Sequence, residues 1–162
     1  MSAAQAAVDV QYAVSADGIP GAESIRHWAV RALPAGQESA ELSVRVVDEA
    51  EITALNRQYR GKDGPTNVLS VPYEAIPGID SKLLGDVVIC APVVAGEAIA
   101  QGKPLAAHWA HMVIHGVLHL LGHDHHREDD AERMESIEIG LLGELGFPDP
   151  YAVGKPDDSS IS

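Results

Sequence analysis

Eleven residues, His115-Gly-Val-Leu-His119-Leu-Leu-Gly122-His-Asp-His125, constrain this chain more than any other stretch. They close a long helix expected over Pro104 to Leu121. On that helix His115 and His119 stand one turn apart on the same face, close enough to share a metal ion. Gly122 can take the left-handed conformation that ends a helix and turns the chain back. A third imidazole from beyond the glycine then approaches the same ion from outside the helix. Three neutral nitrogens and one open position describe a catalytic zinc site rather than a structural one.

The chain has eight histidines, seven of them between His108 and His126, so the ligands have to be chosen. His111, His115 and His119 form an i, i+4, i+8 stripe, but its outer members are about 12 Å apart along the axis. One ion with bonds of roughly 2.0–2.1 Å cannot reach both. The helix therefore supplies two ligands and the segment after Gly122 the third. His125 is the best placed, with His123 and His126 also allowed by geometry. His108 and His111 read as packed helix residues able to support the ligands from behind.

A length of 162 residues suits one domain with a single core. Met1 to Val10 lacks the basic and apolar stretches of a signal peptide, and no apolar run reaches about 18 residues, so no membrane span is expected. The single cysteine, Cys90, excludes an internal disulfide and suits a reducing cytoplasm. Its apolar surroundings mark a buried structural thiol. The net charge of −13 argues against a nucleic-acid partner at face value. The distribution softens that: residues 127–162 carry ten acids and three bases, whereas Arg57, Arg60 and Lys62 cluster with no acid before Asp63. An acidic whole can still carry a local basic rim.

Strand patterning falls at Val8–Val14, Glu41–Val47, Val68–Val71 and Asp86–Cys90, with Pro72 favouring a sheet edge for the third. Helices are expected at Pro20–Leu33, from Asp48-Glu-Ala-Glu51 (a capping-box pattern) with Ile52, Leu55 and Tyr59 inward, at Pro92–Gln101, at Pro104–Leu121, and at Asp129–Leu145. The last is apolar at Met134, Ile137, Leu141, Leu142 and Leu145. The order predicts an α+β fold: a single domain over residues 1–150 with about four strands in a mixed sheet and a zincin-like metal helix packed on it. Residues 151–162 read as a disordered acidic tail.

His-x3-His-x5-His with glycine at the eighth position is similar to the metzincin metalloprotease signature. Those enzymes carry a glutamate directly after the first histidine as general base. Here that position is Gly116, which cannot accept a proton, so the metal itself is left to acidify its water, toward a pKa of about 7. The same eleven residues match the motif of the YbeY family of bacterial endoribonucleases and rRNA maturation factors. A second block, Asn56-Arg-Gln-Tyr-Arg60-Gly-Lys-Asp-Gly-Pro-Thr-Asn67-Val-Leu-Ser70, is similar to that family too, as are Leu84-Gly85-Asp86-Val-Val-Ile-Cys90 and Glu132-Arg-Met134-Glu135. The resemblance spans roughly residues 40 to 150, departing at Val71, where phenylalanine is usual, and at His123, where tyrosine is common.

This resemblance implies one Zn²⁺ per chain on His115, His119 and His125. It also implies a functional Arg60 in a loop facing the metal, its guanidinium matched to phosphate oxygens. The implied activity is single-strand-specific endoribonuclease cleavage in rRNA processing, including maturation of the 16S 3′ end. The expected partners are ribosomal RNA, ribosomal particles and their proteins, in the cytoplasm, with no membrane or DNA. Competing readings are a zincin-type peptidase, which Gly116 disfavours, and a non-catalytic ribosome assembly factor. Lys62 and Arg57 are lesser candidates for phosphate contacts. Asp124 and Asp86 are given structural roles, orienting a ligand or bonding loop backbone.

Overall fold

The computed structural model describes residues 7–37, 39–73, 82–123 and 128–151. Among them are β1 (Ala7–Tyr12), α1 (Ala22–Arg31), β2 (Glu41–Val47), α2 (Glu49–Arg60), β3 (Val68–Pro72), β4 (Leu83–Cys90), α3 (Ala91–Gln101), α4 (Leu105–Leu120) and α5 (Glu128–Glu144). The strands form one mixed sheet in the order β1-β2-β4-β3. β1, β2 and β4 run parallel, and β3 pairs antiparallel to β4 at the edge. Pro72 closes β3 at that edge, where its missing N–H costs no ladder bond. The α+β domain of the sequence reading is therefore observed. No helix of the described residues is long and apolar enough to cross a membrane.

Alternation divides the sheet into two faces. Leu42, Val44, Val46, Val68, Val87 and Ile89 point to a large core shared with Ile25 of α1, Trp109, Ile114 and Leu118 of α4, and Met134 and Leu142 of α5. Val47, Leu69, Val88 and Cys90 point to the other side, where Ile52 of α2 joins them. α2 and α4 thus cover opposite faces of the sheet. With few aromatics available, the main core leans on one fully buried indole, Trp109, while Trp28 meets Phe147 edge-on at 6.1 Å. Cys90 is fully buried, and burial pushes its thiol pKa up, as suits a structural residue.

Local chemistry explains the boundaries. Asp48 caps α2 by accepting from the Glu51 N–H at 2.9 Å. Glu51 does not complete a capping box; its carboxylate takes Arg45 of β2 instead, at 2.6 Å. Three expectations need correction. Tyr59 is 53% exposed rather than inward, because α2 covers the sheet mainly through Ile52 and Leu55. β4 begins at Leu83, upstream of Asp86, because Tyr73 N–H donates to Leu84 O and extends the β3–β4 pairing. Tyr151, assigned to the tail, is held in place through its side chain. Residues 152–162 lie outside the described residues.

Candidate metal centre

α4 is apolar around most of its circumference because it lies between the sheet and the helices α1 and α5. From Ala107 to Leu120 every residue is buried except His115 and His119, which are half-buried. The two imidazoles the spacing singled out are thus the two places where the helix meets the surface beyond its exposed first residues, Leu105 and Ala106. Their rings lie 4.7 Å apart, inclined at 71°. The helix then stops as Gly122 permits: φ is +104°, Gly122 N–H donates to His119 O at 3.0 Å, and His123 N–H donates to Leu118 O at 3.0 Å. This is the paired bonding of a Schellman ending, with glycine at the left-handed position. The expected turn after the second histidine is therefore present. His125, Asp124 and His126 lie outside the described residues.

Behind the two imidazoles lies a group that the sequence reading missed. Glu138 of α5 is fully buried and faces α4. Its Oε2 is 2.5 Å from His115 Nδ1 and its Oε1 is 3.1 Å from His111 Nε2. Tyr151 donates its hydroxyl to the same Oε1 and lies 3.3 Å from His111 Nε2. Burial alone would raise the carboxyl pKa of Glu138, but its hydrogen bonds with His111 and His115 outweigh this and hold it below the usual carboxylate range. Burial, reinforced by the bond to Glu138, pushes the Tyr151 phenol the other way and keeps it protonated. A signal for Glu138 exists in the sequence: Met134, Glu138 and Leu142 are the buried residues of α5, an acid at the centre of an i, i+4, i+8 stripe.

The donor set is suited to a metal. His111, His115 and Glu138 offer ligand atoms within 4.8 Å of one another and could hold an ion between them. Two imidazoles and a carboxylate are ordinary zinc donors. His108 is directed elsewhere: it is buried and its Nε2 meets Glu97 at 2.8 Å, while Glu97 also accepts from Asn67 at 3.2 Å. That chain of contacts ties α4 to the residue just before β3.

Comparison with known proteins gives this geometry a context. The family model described as Endoribonuclease YbeY matches residues 18–146, most of the chain. The chain belongs to the YbeY family. Membership implies an RNA-cleaving hydrolase with a role in rRNA processing. The fold is also similar to the solution structure of TM1509 from Thermotoga maritima, with a TM-score of 0.50 at 22% identity over 92% of this chain and 97% of that one.

Further positions bear on the choice between peptidase and nuclease chemistry. A Cβ built on Gly116 would stand 2.5 Å from Val87 Cγ1 and 3.2 Å from Val68 Cγ2. Ser70 Oγ donates to the Gly116 carbonyl at 2.7 Å, clamping α4 onto β3. The position where a metzincin carries its glutamate is therefore pressed against the sheet and admits no side chain. Arg60 is the exposed last residue of α2 rather than a loop residue, and among the described residues it has no ion-pair partner. Arg57 pairs with Asp63 at 3.1 Å, and Lys62 is exposed beside them. Asp86 accepts a hydrogen bond from Ser43 across the β2–β4 ladder, a structural contact.

Proposed function

We propose that this chain is a zinc-dependent endoribonuclease that cuts single-stranded or loop regions of ribosomal RNA, the 16S 3′ end among them. In this reading His115, His119 and His125 hold one Zn²⁺ and Arg60 contacts the scissile phosphate. The observation that carries it is the pair of half-buried imidazoles, one turn apart, in the buried stretch Ala107–Leu120 of a helix in a chain of the YbeY family. When bound, zinc supplies Lewis acidity and lowers the pKa of a water toward about 7. The chain's own residues supply the rest. Gly122 turns the backbone so that residues beyond it can return toward His119. Arg60 offers a permanently charged fork for the oxygens of an anionic transition state.

α2, which ends at Arg60, covers the sheet face opposite the one on which the histidine helix α4 packs. Tyr59, next to Arg60, shares a cleft with Val71 and Asp86. Gly116, one residue from His115, packs on Val87 and Val68 and receives Ser70. In this reading the RNA strand crosses the β3 edge between the two faces. The single buried thiol fits cytoplasmic work on ribosomal particles and their proteins.

The test compares wild type, Arg60→Ala and His115→Ala on a structured rRNA precursor, with end-group analysis of the products. Loss of cleavage in both variants and 5′-phosphate, 3′-hydroxyl ends are expected. Ends carrying 2′,3′-cyclic phosphate would show that the RNA's own 2′-hydroxyl attacks, and equal residual cleavage in all three would remove the nuclease reading in favour of a non-catalytic assembly factor.

A further inference from the structure

Glu138 is a buried carboxylate on the apolar stripe of α5, between Met134 and Leu142. A charge in that position persists only where it is fully partnered. Its partners are three: His115 through Nδ1, His111 through Nε2, and the Tyr151 hydroxyl. Tyr151 is itself fixed, with its N–H donating to Asp149 Oδ1 at 2.8 Å. The three contacts suit Glu138 as the acceptor, each of the groups presenting a proton to it. For His115 this places the proton on Nδ1 and makes Nε2 the coordinating nitrogen. For His111 it places the proton on Nε2.

The distances separate two roles for this group. Two atoms bound to one tetrahedral zinc at roughly 2.0–2.2 Å lie about 3.3 Å apart. Glu138 Oε2 and His115 Nδ1 are 2.5 Å apart, a hydrogen-bond separation too short for these two atoms to bind the same ion. A metal bound through that pair of atoms would require their hydrogen bond to open. A carboxylate behind a metal-bound imidazole instead orients the ring and raises its basicity.

We propose that Glu138 is a positioning residue, buttressed by His111 and Tyr151, that fixes the tautomer and ring plane of His115 so that Nε2 binds zinc, with Glu138 and His111 themselves outside the coordination sphere. This rests on the reading of His115 as a zinc ligand. It assigns His111 a job distinct from ligation, and it makes Tyr151 part of the centre although it lies beyond the last helix.

The test uses the full chain. Zinc affinity is measured by competition with a chromophoric chelator, and the ligand set by the visible spectrum of the cobalt-substituted protein. Glu138→Gln is expected to bind zinc about 10–100-fold more weakly with unchanged stoichiometry. Tyr151→Phe should shift affinity the same way by less. The cobalt spectra of Glu138→Gln and His111→Asn should keep the wild-type band pattern, which a purely structural defect or a lost ligand would not preserve. Wild-type affinity in a folded Glu138→Gln protein, or an altered cobalt spectrum in either variant, overturns the proposal. Circular dichroism of the metal-free variants establishes folding, and should His111→Asn not fold, the near-isosteric Glu138→Gln and Tyr151→Phe still decide. His115→Ala keeps the two claims apart. Wild-type zinc binding there refutes His115 as a ligand, whereas loss there with wild-type binding in Glu138→Gln refutes only the positioning role.

Discussion

Gly116→Ala should destabilise this protein, although the same change in most helices stabilises. In a helix interior, alanine is favoured over glycine by roughly 0.8–1.0 kcal/mol. Here the new methyl would lie 2.5 Å from Val87 Cγ1, 3.3 Å from Val87 Cγ2 and 3.2 Å from Val68 Cγ2. Neither valine can retreat cheaply. Both are β-branched and stiff at χ1, Val87 is fully buried in a strand flanked on both sides, and Val68 is 8% exposed. Overpacking of this kind costs about 1–3 kcal/mol. Moving α4 outward instead would strain the Ser70 hydrogen bond to the Gly116 carbonyl.

The clash therefore offsets or outweighs the propensity gain, for a net loss of up to about 2 kcal/mol. Urea unfolding of the metal-free protein measures it without interference from zinc binding. A double-mutant cycle with Val87→Ala isolates the cause: with the methyls gone, Gly116→Ala should become neutral or stabilising, a coupling of about 1–3 kcal/mol. A Gly116→Ala protein more stable than wild type by the full propensity difference would refute the reasoning. It would also reopen this position to a side chain, and with it the peptidase reading. Gly116→Glu, the change that would restore the metzincin glutamate, should fail to fold for the same reason.

Three other expectations follow from the same geometry. Gly122→Ala forces a Cβ into the left-handed region, where L-residues pay about 1–2 kcal/mol, and should lower both the urea midpoint and zinc affinity; unchanged zinc affinity would mean that the turn does not deliver a ligand. Burial lowers the His108 pKa despite its bond to Glu97. Below about pH 6.5 the unfolded chain then takes up a proton that the fold refuses, and stability falls with pH until the lowered value is reached. His108→Gln should flatten that limb in urea titrations between about pH 7 and pH 5.5, and an unchanged slope would refute it. Breaking the exposed Arg57–Asp63 pair with Arg57→Ala should leave stability within about 1 kcal/mol, so any loss of RNA affinity in that variant reports on phosphate contact.

How far the sequence could be read depended on whether a feature was written in local spacing. The four strands and five helices of the described residues followed from period and punctuation: Asp48, Pro72, Gly122 and Pro104 each sit within a residue or two of a boundary. The one-turn separation of His115 and His119 needs only the helical repeat, and the turn at Gly122 only a glycine's tolerance of positive φ. Tyr59 was misplaced because inward positions of α2 depend on how that helix lies across the sheet, and the pattern Ile52, Leu55, Tyr59 cannot fix where the contact runs out.

Glu138 shows the deeper limit. Its local pattern reads as an amphipathic helix with one misplaced acid, and such an acid is ordinarily solvated at the rim of the apolar face. What keeps it ionised inside the protein is 23 residues upstream at His115, 27 upstream at His111 and 13 downstream at Tyr151. None of those separations is a repeat of any secondary structure; they exist only once α5 packs on α4 and the chain after α5 folds back. The same reasoning explains why the stripe His111, His115, His119 misleads. Helical spacing presents three equivalent imidazoles, but Glu138 of α5 meets the first two. His111 is thereby sealed in the core and His115 is left with one nitrogen committed to α5. A centre built in this way needs its supporting carboxylate on a second helix, because a residue on α4 cannot reach behind its own histidines. The metal-binding turn and the packing of α5 are consequently one structural problem, and loosening α5 anywhere along Met134, Glu138 and Leu142 should be felt at His115.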